Sequence, residues 1–427
     1  MLRYALIATT FLTTTATAAE PLRIASFNAS LNRSGPGQLQ NELVNGSPQA
    51  RIIAEIIQRT NPDVVLVNEF DYVDPATPSA PLNVFADDYL AVPQNFLGLP
   101  QGSTGIDYPF RYAAPSNTGV YSGFDLDNDG NASPNDPGDA FGFGNFPGQF
   151  GMAVYSKVPI TDVRTFQNFL WKDLPGNLLT NDPSPAGQNL DGFYSQDEID
   201  NLRLSSKSHW DVTLDVDGNE VHLLAAHPTP PVFDGPEDRN GKRNFDEIRF
   251  WAEYIEGNDA IYDDSGTFGG LEENEAFVIV GDYNSDPNDG DSLTLNGLAA
   301  ADQLLLNDLI DTSLTPGSDG GVDAADRQGG INNQHTGNPR FDTADFGDGS
   351  PGNLRVDYAL PSKAGLDLVG GGVFWPEGDD PLFGLVGNGG FTSSDHRLVF
   401  VDVVVPEPAT LGLIVTTVGT LLQRRRG

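Results

Sequence analysis

The sequence contains no cysteine, and its 427 residues hold only 23 Lys or Arg against 60 Asp or Glu. Without cysteine, disulfides and thiolate metal centres are excluded. Stability must come from an apolar core, from metals held by other ligands, or from both. The shortage of basic residues leaves a formal net charge of −37 and a pI near 4.1. A surface of that sign repels polyanions at long range. Nonspecific DNA binding depends on phosphate neutralisation by Lys and Arg, so a nucleic-acid substrate would need a local basic or metal-rich patch. Acidity also suits divalent-cation binding, as it suits salt tolerance or simple solubility. Long helical patterns are few. The 48 Gly and 31 Pro instead point to many strands and turns.

The two ends differ from the rest. Residues 1–19 read as a secretory signal peptide. Arg3 supplies the charged start, an apolar and Thr-rich stretch runs from Tyr4 to Thr13, and Ala16-Thr17-Ala18 offers small residues for cleavage. At the other end, residues 405–427 contain Pro406-Glu407-Pro408, an uncharged stretch from Ala409 to Leu422, and Arg424-Arg425-Arg426. The uncharged stretch is shorter than the about 20 residues of a full span, and the arginines would stay on the cytoplasmic side. This order resembles the PEP-CTERM sorting tail of Gram-negative exported proteins. The resemblance implies transient membrane association and then cleavage by a sorting protease. Exported, the protein would be extracellular or at the cell surface.

Between the ends, residues 20–404 show no clear linker and no internal repeat, so one domain is expected. Leu22–Asn28 reads as the first strand. Ser47-Pro48 reads as a helix cap with Pro at the first helical position. Ile52, Ile53, Ile56 and Ile57 give that helix one apolar face, and Asn61-Pro62-Asp63 ends it. Val64–Val67 is a continuous apolar run, as expected of a strand buried on both faces. Met152–Tyr155 is a further short strand. His209–Val216 and Glu220–Ala226 flank Asp217-Gly218-Asn219, a hairpin signal. Arg243–Glu256 reads as a helix. Phe277–Val280, Leu354–Leu360 and Arg397–Val404 read as strands. Residues 71–150 and 312–352 read as long loops or insertions.

Polar residues recur where these strands end: Asn28, Glu69, His227, Asp282 with Asn284, Asp357, and Asp395 with His396. Side chains at the ends of buried strands converge on one edge of a sheet. Any one Asp after a strand is more often a turn residue or a cap. The set as a whole suits one reaction. Carboxylates and amides bind a hard divalent cation, such a cation polarises a phosphoryl oxygen, and a His held by a carboxylate takes a proton from water.

In sequence order the chain carries Ser26-Phe27-Asn28, Asn68-Glu69, Gly151-Met152-Ala153-Val154-Tyr155-Ser156, Ala226-His227-Pro228, Gly281-Asp282-Tyr283-Asn284, Arg355-Val356-Asp357-Tyr358 and Ser394-Asp395-His396. In this it resembles the endonuclease/exonuclease/phosphatase (DNase I-like) superfamily. The resemblance implies a four-layer α/β/β/α sandwich with long loop insertions. It implies Mg²⁺ or Mn²⁺ held mainly by Glu69, with Asn28 and Asp395 completing the site. His396 would be the general base, oriented by Asp357. Asp282 and Asn284 would position water and phosphate, and His227 would stabilise the transition state or help the leaving group. Asn68 stands where many relatives carry Gln. The family's active-site Tyr has no clear counterpart, Tyr112 and Tyr121 being candidates.

Two further features are expected to matter. Arg203, Lys207, Arg239 and Arg243 lie in clusters of otherwise scarce basic residues and are candidates for the substrate phosphate, unless they pair with surface acids. Asp125, Asp127, Asp129 and Asn131 alternate around Gly130, as at the start of an EF-hand-type Ca²⁺ loop. Asp136 falls at the closing position, where Glu is usual. Two function classes follow. One is an exported metal-dependent phosphoesterase, a nuclease or phosphodiesterase acting on nucleic acid, a phospholipid head group or a small phosphoester. The other is a non-catalytic Ca²⁺-binding surface or biofilm-matrix protein on the same fold. The array from Asn28 to His396 favours the enzyme.

Overall fold

The computed structural model describes residues 20–387 and 393–406; the signal-peptide segment 1–19 and the tail residues 407–427 lie outside the described residues. Among those described, no helix is long and apolar enough to cross a membrane.

Continuous apolar strands bury both faces, and this sets the layers. Strand β1 is Leu22–Leu31 and β2 is Val64–Phe70. Ile24, Val64 and Leu66 enter one hydrophobic cluster, whereas Ala25, Phe27, Val65 and Val67, at alternate positions, enter another. The same split occurs in β8 (Ala276–Asp282). Val278 and Val280 join the first cluster, while Phe277 and Ile279 join a third. The first cluster is therefore the seam between two face-to-face sheets, and the other two are filled from outside by helices. Helix α1, Pro48–Thr60, covers β1 and β2 through Ile52, Ile53, Ile56 and Ile57. Helix α2, Arg239–Ile255, covers the other sheet through Ile248, Trp251 and Tyr254. The result is an α/β/β/α sandwich.

The remaining strands of the two large sheets are β3 (Phe110–Tyr112), β4 (Met152–Ser156), β5 (Ile160–Thr165), β6 (His209–Val216), β7 (Asn219–Ala226), β9 (Asp357–Pro361), β10 (Asp367–Val373) and β11 (Val399–Val404). Among the described residues, the larger sheet runs β10-β11-β1-β2-β4-β3 and the smaller runs β9-β8-β7-β6-β5. Each sheet contains a parallel pair joined through its covering helix: β1 with β2, and β7 with β8. The carboxyl ends of these four strands meet at one edge of the sandwich, the usual place for a site in an α/β sheet.

Local signals explain most elements. Ser47 accepts a hydrogen bond from the Ala50 amide, and Pro48 opens α1. Asp217 and Gly218 both take positive φ, 54° and 87°, as the tight β6–β7 turn requires. Differences from the sequence expectation have physical causes. Helix α2 starts four residues early, because Asn240 is tied back to Asp234 and Val232. Leu354–Leu360 divides into Asn353–Leu354 and β9, since the Val356 and Asp357 amides both turn to Thr343 Oγ1. The 312–352 stretch is not all loop; it holds helix α3, Asp319–Gln328, capped by Ser318.

The last turn before β11 is fixed from within. Arg397, only 1% exposed, stacks 4.5 Å over the Trp375 ring. Its Nη2 pairs with Asp345 at 2.7 Å, and its Nη1 donates to the Ser394 and His396 carbonyls. Breaking a buried pair from one side costs about 3–5 kcal/mol. Arg397→Met is thus expected to lower unfolding stability by that order in urea titration; a loss below about 1 kcal/mol would show that the pair does not hold this turn.

Candidate active site

The site begins with backbone that ordinary strands do not tolerate. The β1–β2 register shifts beyond Asn28, and Ser30 takes φ 48°. Glu69, near the end of β2, takes φ 56°. A positive φ in a Glu is strained, and such strain gathers at functional sites. Gly281 permits close approach on the opposite sheet, since a Cβ there would run into the Ala226 carbonyl.

These ends are linked across the sandwich by side-chain amides. Asn28 Nδ2 donates to Glu69 Oε1 at 3.1 Å and to Asp282 Oδ2 at 3.0 Å. Asn32 Nδ2 donates to Glu69 Oε2 at 2.6 Å. Asn68 accepts from the Asp282 amide and donates to the Ala226 carbonyl, both at 3.3 Å. The residue that departs from the family pattern is therefore an inter-sheet clamp. Ser394 donates to the Asn28 carbonyl at 2.7 Å, and Ser30 donates to Asp395 at 3.1 Å. The C-terminal triplet is thereby docked on β1.

Asp357 lies opposite Asp282 in the β9–β8 register. His396 Nδ1 donates to Asp357 Oδ2 at 2.8 Å, while His396 Nε2 is 3.7 Å from Asp282 Oδ2. His227 Nε2 approaches that same oxygen at 3.5 Å. Asn284 is held by its amide bond to Asp282 Oδ1 and by its side chain on the Pro228 carbonyl. Glu69, His227, Asp282, Asn284, Asp395 and His396 all line one cleft of about 860 Å³. Asn28 and Asp357 stand directly behind them. The structure thus brings together all eight residues expected from the sequence.

The electrostatics follow from packing acids together. Burial pushes Asp282 up to about 6, against the nearby His396. Burial likewise raises Asp357. Glu69 is partly exposed to the cleft yet hemmed in by protein; it too is raised, by burial and then by Asp282 and Asp395, against His396 and the Asn28 amide. Burial alone would lower His396, but Asp357, Asp282 and Asp395 outweigh it and hold the imidazole well above its ordinary value. His227 is driven the other way by burial, Lys207 and His396, so it stays neutral.

Converging hard oxygen donors fit a divalent cation. Among the described residues, His227 Nδ1 is buried there without a hydrogen-bond partner. One ligand-competent group among the described residues is Asp282, Asp357 and His396, with donor atoms within 4.8 Å of one another. The predicted ligand Asn28 instead turns its Nδ2 to the carboxylates and commits Oδ1 to the Ser30 amide. Glu69 and Asp395 keep oxygens at the cleft.

Other expectations are revised. Arg203 does not line the cleft; it stacks 4.3 Å over Phe141 and donates to Asn117. Arg243 reaches the cleft wall, but its guanidinium is taken by the Leu204, Arg203 and Phe141 carbonyls. Arg239 pairs with Glu237. Lys207 is different. It lines the cleft at 6% exposure, and among the described residues no hydrogen bond or ion pair engages its ammonium. Neither Tyr112, packed edge-on against Trp210, nor Tyr121 lines the cleft.

In the acidic loop, Asp125 and Asp127 gather with Asp139 rather than Asp136. Asp136 caps the turn Pro137–Asp139 through the Gly138 amide, because Pro137 opens a short turn where an EF-hand would continue as helix. Asp129 and Asn131 face solvent. Asn32 and Asp139 escaped sequence reading because their partners are remote or their spacing fits no motif, and Asn68, legible as part of a motif, hides its inter-sheet partners for the same reason.

Crowded carboxylates oppose the fold when no cation is present. Glu69→Gln is expected to raise the thermal midpoint of chelator-treated protein by about 1–2 °C, since an unfolding entropy of about 2 cal/mol/K per residue makes about 1 kcal/mol worth little more than that in a chain of 427 residues. A lower midpoint for the variant, measured by calorimetry with EDTA, would contradict the repulsion inferred here.

No curated protein sequence matches the chain. Solved structures similar to it include an endonuclease/exonuclease/phosphatase from Beutenbergia cavernae at 16% identity (TM-score 0.46, 90% of this chain, 72% of that one). The human Nocturnin catalytic domain is similar at 13% identity (TM-score 0.41, 91% and 94%). A mannosyl-6-phosphatase from Bacteroides thetaiotaomicron is similar at 14% identity (TM-score 0.40, 90% and 99%). The model of the Endonuclease/Exonuclease/phosphatase family matches residues 25–396, which takes in every residue from Asn28 to His396, and the chain belongs to that family of phosphoester hydrolases.

Proposed function

We propose that this protein is an exported, divalent-metal-dependent phosphoesterase, acting as a nuclease or phosphodiesterase, in which His396 takes a proton from the water that attacks phosphorus. The observation that carries the reading is the His396–Asp357 pair, closed at 2.8 Å on the floor of the cleft and facing Asp282. Asp357 fixes the ring so that Nε2 points toward the substrate. Asp282 and Asn284 position the attacking water and a phosphoryl oxygen. His227, kept neutral, donates a hydrogen bond to charge that develops as the leaving oxygen departs. Mg²⁺ or Mn²⁺ would be held by Glu69, with Asp395 and Asn28 beside it. Bound there, the ion would stabilise charge on a phosphoryl oxygen and offset the carboxylate field that otherwise keeps His396 protonated.

Lys207 belongs to the same reading, as the cation that meets the substrate phosphate. Burial lowers Lys207 against the pull of Glu247, Glu69 and Asp282, none of which pairs with its ammonium among the described residues; a buried, unpaired ammonium is costly, and a phosphoryl group in the cleft supplies the partner. In the same proposal residues 1–19 direct export, the 405–427 tail gives transient membrane retention until a sorting protease removes it, and Asp125, Asp127 and Asp139 hold a structural Ca²⁺.

Purified protein is expected to hydrolyse bis-p-nitrophenyl phosphate with Mg²⁺ or Mn²⁺ and to lose that activity in EDTA. His396→Ala should reduce kcat by about 10²–10⁴. Full activity in EDTA would remove the metal, and an unchanged kcat in the variant would remove the base.

Lys207→Met should cost about 10–100-fold in kcat/KM, in line with a charge-assisted contact of about 1.5–3 kcal/mol. An unchanged kcat/KM would make Lys207 a packing residue.

A further inference from the structure

The cleft has an apolar part that phosphate chemistry does not use. Two of the most exposed large side chains on the molecule are Phe233, 89% exposed, and Phe143, 66% exposed; both line this cleft. Neither is on a free-hanging loop. Phe233 is six residues past His227. Asn240 Nδ2 holds the Val232 carbonyl at 2.7 Å, and the Asn240 amide is bound by Asp234 at 2.6 Å. Between those two anchors Phe233 takes φ 67°, an outlier for a bulky side chain. Such strain is a pointer to function. Phe143 is fixed in a similar way, since the Gly142 amide donates to the Asn117 carbonyl and the Gly142 carbonyl accepts from Gly119. Closer to the chemistry, the Phe346 ring stands edge-on to His396 with centroids 5.3 Å apart.

Charge limits what else can enter. Asp286, Asp289 and Asp291 also line the cleft, and Lys207 is its one unengaged cation among the described residues. One phosphate is welcome there, whereas a train of phosphates meets repulsion.

We infer that Phe143 and Phe233 form a ring-stacking subsite, and that the substrate is a small phosphodiester whose retained alcohol carries one planar ring, a nucleoside ester, rather than a nucleic-acid polymer. This rests on the phosphoesterase reading above. Rigid aromatic side chains bind a planar group at low entropic cost, and ring stacking is tolerant of the identity of the ring.

The test compares two substrates with the same scissile bond, thymidine 5′-(p-nitrophenyl phosphate) and methyl p-nitrophenyl phosphate, in Mg²⁺ or Mn²⁺. The wild-type protein should prefer the thymidine ester by about tenfold or more in kcat/KM. Phe143→Ser and Phe233→Leu should each reduce that ratio through KM, and the double variant should bring it near one. Phe233→Tyr, which keeps a ring, should retain it. A wild-type ratio near one, or a ratio that survives the double variant, overturns the subsite while leaving the phosphoesterase reading intact. Cleavage of plasmid DNA at a kcat/KM per site equal to that of the thymidine ester overturns the small-substrate assignment. So does a double variant that loses binding to anionic phospholipid vesicles and nothing else, since the rings would then serve a lipid surface. Failure of the wild type to cleave either ester overturns the phosphoesterase reading, and this inference with it.

Discussion

One carboxylate oxygen organises the edge of the sandwich that holds the candidate site. Asp282 Oδ2 receives the Asn28 amide from the other sheet and has the Nε2 atoms of both His227 and His396 within 4 Å. Asp282 ends β8, Asn28 lies toward the end of β1, His227 follows β7, and His396 precedes β11. The relative placement of two sheets is therefore read out at a single atom. A slip of one residue in any of these strands would turn the side chain to the opposite face. The apolar seam holds the sheets together, but it is non-directional. The hydrogen bonds from Asn28 and Asn68 fix how far one sheet can slide on the other.

That arrangement stores unfavourable terms where the chemistry takes place. Glu69 sits at positive φ among other acids, and Asp282 and Asp357 are buried carboxylates facing each other across paired strands. The surrounding fold must over-determine such a site for it to persist. Here it does so with the Arg397–Asp345 pair beneath the last turn and with amide side chains that satisfy carboxylates without neutralising them. Amides rather than lysines are the right partners for this purpose. A local ammonium would quench the negative field that a divalent cation needs, whereas Asn28 and Asn32 orient Glu69 and leave its charge in place.

What could be read from sequence was whatever a short stretch determines alone. Val64–Val67 had to be buried on both faces, Ser47-Pro48 had to open a helix, and Asp217-Gly218 had to turn a hairpin. The ordered motifs carried all eight residues of the catalytic edge. Strands β5 and β10 were not legible. Three of the seven residues of β10 are Gly, and β5 alternates weakly with half-exposed positions, so both depend on neighbours already in place. Side-chain partners were not legible either. Four basic residues were equal candidates for the phosphate, and only tertiary structure shows that Arg203, Arg239 and Arg243 are already engaged while Lys207 is not.

The acidity that opened the sequence reading then takes on a narrower meaning. A net charge of −37 would weaken a protein whose task was to hold a polyanion along an extended groove, because every contact beyond the reacting phosphate works against the surface potential. It would not hinder the enzyme proposed above, which engages one phosphate through one buried lysine, with a metal ion beside it, and recognises the remainder of its substrate by shape and stacking. The two insertions that read as long loops in sequence would supply that second part. The 71–150 segment brings Phe143, Phe150 and the Asp127 loop to the cleft, and the 312–352 segment brings Phe346 against His396. In that reading the sandwich fixes the reaction, and the loops grown on its edge set which phosphoesters can reach it.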